Sequence, residues 1–105
     1  MIDEIMEIVL LMWEFFPKKR DPYIHKNLCM MHNNSKKIYE CISSGTPFNR
    51  LHFEGYCGRV YGSAERIADL VKNDKKAEFY KLLDRLDYLL ETIIADEKLG
   101  RGDVC

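Results

Sequence analysis

The chain lacks most of the features that would take it out of the ordinary globular class. Three prolines and six glycines in 105 residues are too few for a disordered or fibrous chain. Neither sign of charge is in surplus: 16 Lys and Arg against 17 Asp and Glu leave a net charge of −1, so no overall basic field draws the chain to nucleic acid or anionic lipid. The cysteines, at positions 29, 41, 57 and 105, include no CxxC pair. The opening Met-Ile-Asp-Glu-Ile-Met-Glu is acidic where a secretory leader is basic. Reduced thiols and a cytoplasmic location are the expectation. The longest apolar stretch, Ile2 to Phe16, is shorter than a membrane span and carries four carboxylates, so no membrane partner is expected. There is no phosphate loop, no Gly-x-Ser-x-Gly elbow, no Glu-x-x-His pair and no plausible triad. No catalytic residue and no cofactor is assigned, and the chain reads as a non-enzyme.

What is present is helical periodicity. Apolar residues make up 47% of the sequence, enough for one core in one domain. A first segment runs from about Ile2 to Phe16 and is stopped by Pro17. A second opens with Asp21 as N-cap and Pro22 at the first helical position. Its Ile24, Leu28, Met31, Ser35, Ile38 and Ile42 recur at four-three spacing, one continuous helical face. Ser43-Ser44-Gly45 ends it, with Gly45 suited to a left-handed cap. A third segment starts with Thr46 and Pro47. Its Phe53, Cys57, Val60, Ala64, Ile67 and Val71 keep the same spacing to about Asn73. Gly55, Gly58 and Gly62 interrupt its composition, so the competing reading is a break, bend or short hairpin over Leu51–Tyr61. A fourth runs from about Asp74 to Lys98 on a stripe of Phe79, Leu82, Leu86, Leu89 and Ile93, closed by Gly100. The expectation is an all-α, up-down four-helix bundle over residues 1–100 with a flexible tail at 101–105.

Four constellations invite a chemical reading. His25, Cys29 and His32 lie at i, i+4 and i+7 on the second segment. In a hairpin about Gly45, residues whose numbers total about 90 lie level, which sets Cys57 beside His32. Two His and two Cys suit tetrahedral zinc, against the plainer reading of Cys57 as a small core residue. Second, Arg20-Asp-Pro-Tyr-Ile-His25 resembles the Arg-x4–6-His signature of HEPN ribonucleases. That resemblance implies a small helical bundle in which Arg20 and His25 act on an RNA phosphodiester. Third, Gly55, Gly58 and Gly62 lie roughly opposite the apolar stripe of their helix. They open its backbone to close approach, with Tyr56, Arg59, Tyr61 and Arg66 nearby to stack on or bind a small anion such as a nucleotide.

The fourth constellation is the first helix. Ile2, Ile5, Met6, Val9, Met12, Trp13 and Phe16 fill one arc and serve the core. Ile8, Leu11 and Phe15 form a surplus stripe at i, i+3 and i+7, the spacing by which a helix docks on a partner. Asp3, Glu7 and Glu14 make a narrow acidic strip beside it. Such a stripe is an interface, and a two-fold homodimer needs only one. The sequence therefore reads as a small helical regulator, inhibitor, adaptor or immunity-type protein that binds another protein, itself, or both. The anionic-ligand binder is the alternative, and the ribonuclease a third reading. Thiol titration under denaturing, non-reducing conditions should find four free thiols per chain; two or fewer would refute the reduced state.

Overall fold

In the computed structural model the chain is an all-helical bundle. Residues 1–45 and 47–101 are described, the last five of these by backbone alone. The helices are α1 (Ile2–Trp13), α2 (Pro22–Ser43), α3 (Arg50–Ala68) and α4 (Lys76–Arg101), with a 3-10 turn at Asn73–Lys75 leading into α4. Consecutive helices run antiparallel. Among the described residues, α1 and α3 each pack on α2 and α4 and face one another across the core, so the four helices close a ring. No described helix is long and apolar enough to cross a membrane.

Local chemistry accounts for most boundaries. Asp21 Oδ1 accepts from the Tyr23 amide at 2.7 Å and Pro22 takes the first helical position, so α2 begins where the sequence expects. It ends at Ser43, and Gly45 follows with φ of 70°, the left-handed conformation that glycine adopts without a Cβ clash. The expected cap at Thr46 lies outside the described residues. The operative cap of α3 is Asn49, whose Oδ1 accepts from the His52 amide at 3.1 Å. Phe48 before the cap packs on Phe53, ring centroids 4.9 Å apart, as a hydrophobic staple that fixes the entry of the chain. At its far end α3 stops at Ala68 rather than near Asn73. The Leu70 and Val71 amides close onto Ile67 and Ala68, and the turn carries buried Val71 into the core.

Two further helix ends differ from expectation, and the competing reading of a break in α3 falls away. α1 is regular only to Trp13; the Glu14, Phe15 and Phe16 amides bond three residues back, tightening the chain ahead of Pro17. α4 runs through Gly100 to Arg101: the roughly 1 kcal/mol glycine penalty is a propensity and not a stop. The remainder of the expected tail lies outside the described residues. No break occurs over Leu51–Tyr61: Gly55, Gly58 and Gly62 all lie inside a continuous α3.

The core takes Leu28, Met31, Ser35 and Ile38 from α2, Phe53, Cys57, Val60, Ala64 and Ile67 from α3, and Phe79, Leu86, Leu89 and Ile93 from α4. From α1 it takes Ile5, Val9 and Met12 as expected, with Phe16 from the turn that follows, and also Ile8, which is 4% exposed. Phe15 and Phe16 both meet Phe79 edge-on, at 5.3 and 6.0 Å between centroids, tying the end of α1 to the start of α4. Because α1 is wedged between two neighbours, its buried arc is wider than the single stripe assumed from sequence. At the opposite end of that pairing, Arg85 holds Glu4 through two parallel hydrogen bonds of 2.7 and 3.0 Å, which keep the Glu4 carboxyl below its ordinary pKa.

Gly58 is exposed in mid-helix, with open space where a Cβ would stand. Gly58→Ala should therefore raise stability in urea denaturation by up to about 1 kcal/mol. A loss of stability would mean that α3 is not continuous there.

Candidate functional site

The seam between α2 and α3 carries the polar structure of this bundle. Asn27 and Asn34 stand a heptad apart on α2 and are almost wholly buried, 3% and 8% exposed. Each turns its amide nitrogen onto its own helix: Asn27 Nδ2 donates to the Tyr23 carbonyl at 2.9 Å, Asn34 Nδ2 to the Met30 carbonyl at 2.7 Å. Each is left with an amide oxygen pointing across the seam, and there an arginine of α3 meets it. Arg66 Nη1 donates to Asn27 Oδ1 at 3.2 Å, and Arg59 Nε donates to Asn34 Oδ1 at 3.0 Å. Lys37 lies over the Tyr56 ring at 5.8 Å. The pairs 27 with 66, 34 with 59 and 37 with 56 share a constant total of 93 in place of the expected 90.

The glycines acquire a role in this setting. A Cβ on Gly55 would stand 3.5 Å from the Arg59 guanidinium, and one on Gly62 would stand 3.7 Å from Arg66 Nη2. Each arginine thus lies back along α3 over the glycine four residues before it, where a larger side chain would compete for the surface. The two differ in what they leave free. Arg59 spends Nε on Asn34 and rests 5.4 Å from the centre of the Tyr56 ring. Arg66 spends Nη1 on Asn27 and on Ser63 Oγ, at 3.2 and 3.4 Å, and among the described residues its Nε–Nη2 edge has no hydrogen-bond partner. Of the residues expected here, Gly55, Tyr56, Arg59, Gly62 and Arg66 do gather on one seam. Gly58 lies open to solvent, and Tyr61 turns toward α4, lining a groove with Cys57, Asp87 and Leu90. Burial, then the charge of nearby Glu65, holds the Tyr61 phenol above its usual pKa. Asn27 and Asn34 were missed in the sequence, although two asparagines a heptad apart facing two arginines a heptad apart is a readable signal.

The His/Cys set divides. His25 Nε2 and Cys29 Sγ meet at 3.5 Å on α2, and His25 stands edge-on to Trp13 with centroids 6.0 Å apart. Cys57 is buried instead among α3 and α4 residues, because the true register and its core position point it away from His32. Among the described residues no three His, Cys, Asp or Glu side chains are placed to hold a metal ion. Arg20, of the HEPN-like pair, precedes α2 and stacks over Trp13 at 5.1 Å. Both Arg20 and His25 therefore contact the same indole, an arrangement that packs the α1–α2 turn.

The expected stripe on α1 is redistributed. Ile8 lies in the core and Phe15 packs on Phe79, so neither is a free interface residue. Leu11 remains outside at 51% exposure, joined by Leu10 at 58%. At about 100° per residue the two leucines stand on either shoulder of Glu7 and Glu14. Together these four side chains line a shallow depression on the outer face of α1. No family model, no curated protein and no solved structure matches this chain.

Burial, reinforced by the charge of Glu54 and by Cys41, pushes the Cys57 thiol up to about 12. Cys29 and Cys41 are only partly buried. In native protein at pH 8, iodoacetamide should modify Cys29 and Cys41 well before Cys57, by at least about tenfold in rate. The Cys57 rate should rise with pH into the strongly alkaline range, short of unfolding. Equal rates would mean that the α3–α4 groove is open to reagent.

Proposed function

We propose that the chain is a small protein-binding regulator, of inhibitor, adaptor or immunity type, that engages its partner through the outer face of α1. The observation that carries this reading is the pair Leu10 and Leu11, each more than half exposed in the last turn of a helix whose other sides are taken up by the core. Fully burying such a side chain stabilises a contact by about 1.5–3 kcal/mol. Leaving two of them in water beside each other gives this face a use in binding that folding alone does not supply.

The rim of the patch says what kind of surface fits. Glu7 and Glu14 run between the leucines, and among the described residues neither is paired with a cation. A two-fold axis through this face would bring the glutamates of one copy against those of the other, in either helix direction. Like charges in an apolar contact oppose association. The face is better matched by a different protein, with lysine or arginine set between two apolar grooves. That replaces the simplest form of the homodimer with a heterologous complex.

Changing Leu10 and Leu11 together to serine leaves charge and core untouched, so helical circular dichroism should be unchanged. Partner capture from an extract of the native host should fall at least about tenfold in the double variant, and capture by the unmodified chain should weaken with rising salt. Capture that is identical for both proteins and insensitive to salt would defeat this reading. A concentration-dependent dimer in sedimentation, abolished by the same two changes, would put a second copy in the partner's place.

A further inference from the structure

We infer that the seam between α2 and α3 holds a binding site for a small phosphorylated ligand, centred on Arg66; this goes beyond the α1 surface and rests on different residues. A cavity of about 230 Å³ opens beside Arg66, lined by Tyr23, Lys26, Asn27, Met30 and Arg66 itself. Drug-sized sites begin at about 300 Å³, so this one suits a phosphate with the group directly attached to it rather than a large cofactor.

Arg66 is built as an anion receptor. Asn27, itself almost wholly buried, and Ser63 hold Nη1 in place. The opposite edge, Nε–H beside Nη2–H, is the fork that binds two oxygens of a phosphate side by side. Nη2 lies over Gly62, 3.7 Å from where a Cβ would stand, so a long side chain at that position would crowd this edge. Lys26 adds a second cation on the same cavity wall, while Tyr23 and Met30 give apolar surface to whatever carries the phosphate.

Among the described residues the neighbouring carboxylates are engaged elsewhere, and none forms an ion pair with the guanidinium. Asp21 caps α2 through the Tyr23 amide at 2.7 Å. Asp69 accepts from the Tyr80 hydroxyl at 2.8 Å. Glu65 lies beside the Tyr61 phenol and raises its pKa. Among the described residues neither Arg66 nor Lys26 pairs with an acid. Arg59 is the internal contrast. It repeats the asparagine contact a heptad away, but its guanidinium lies against Tyr56 and is not part of the lining of this cavity. The cavity is local to Arg66, which favours a small ligand over a polymer running along both arginines.

The test is calorimetric titration of the full chain with orthophosphate, pyrophosphate and adenosine 5′-triphosphate, repeated with Arg66→Gln, Arg66→Lys, Arg59→Gln and Gly62→Leu. Saturable binding of at least one probe is expected. Arg66→Gln and Gly62→Leu should weaken it at least about tenfold, and Arg66→Lys, which keeps the charge without the fork, should also weaken it. Arg59→Gln should leave it within about twofold. The Leu10/Leu11 serine variant should bind the same probe normally, which separates this site from the α1 surface. No saturable binding at millimolar probe, or equal losses for Arg59→Gln and Arg66→Gln, would overturn the site. A single-stranded oligonucleotide that binds more tightly than every small probe and depends on both arginines would also overturn it, in favour of a polymer track. Should Arg59→Gln, Arg66→Gln or Gly62→Leu lose helical circular dichroism, the Arg66 side-chain Nε–H resonance of the unmodified chain decides. It should shift on adding probe, and a resonance that stays in place would overturn the site as well.

Discussion

The buried amide oxygens of Asn27 and Asn34 are the constraint on which the rest of this bundle depends. An amide group sealed between two helices without a partner costs about 1–3 kcal/mol, and both asparagines are sealed. Their nitrogens are satisfied within α2, so the oxygens must be satisfied across the seam, and Arg59 and Arg66 are what satisfies them. A slip of α3 along α2 by a residue or two would break both contacts, and a slip of a whole heptad would still orphan one asparagine. Apolar stripes at four-three spacing can slide past each other with modest loss. Two charge-assisted hydrogen bonds set a heptad apart cannot, and so they fix the register in which the core side chains interlock.

The placement of α1 follows. With α2 and α3 locked and α4 returning along α3, the ring leaves one slot, flanked by α2 and α4. A helix in a slot buries more of its circumference than a helix on a flat surface. That is why Ile8 and Phe15, which look superfluous in a single-stripe reading, are drawn inward. The helix then keeps a narrow outer face of Glu7, Leu10, Leu11 and Glu14, with Asp3 along the same line and Glu4 turned to Arg85.

Periodicity made the helices legible. The spacing of Leu28, Met31, Ser35 and Ile38, and of Phe53, Cys57, Val60, Ala64 and Ile67, states which face is buried, and each of these is buried. The start of α2 was equally plain, because Asp21 and Pro22 act through local chemistry alone. What sequence did not give was anything that depends on a neighbour. The width of the buried arc on α1 is a property of two flanking helices. The difference between a register total of 90 and one of 93 moves Cys57 away from His32 and aligns the asparagines with the arginines. The glycines of α3 left a break open as a competing reading because a glycine's propensity is local; a guanidinium folded back over Gly55 and Gly62 accounts for two of them, while Gly58 faces open solvent with nothing packed on it. Of the candidate sites, the arginines and glycines of the α2–α3 seam were visible as residue types. The asparagines that orient them were hidden by their ordinary appearance in a polar stretch.

The chain contains a single tryptophan, Trp13, at the last turn of α1. Its ring meets His25 of α2 edge-on and lies beneath the guanidinium of Arg20. The chromophore therefore sits on the boundary between α1 and the rest of the bundle rather than in the common core. Its emission is an optical gauge of one event, the lifting of α1 out of its slot. Set beside far-ultraviolet dichroism, which follows all four helices together, it can separate an opening of the first helix from unfolding of the α2–α3–α4 unit.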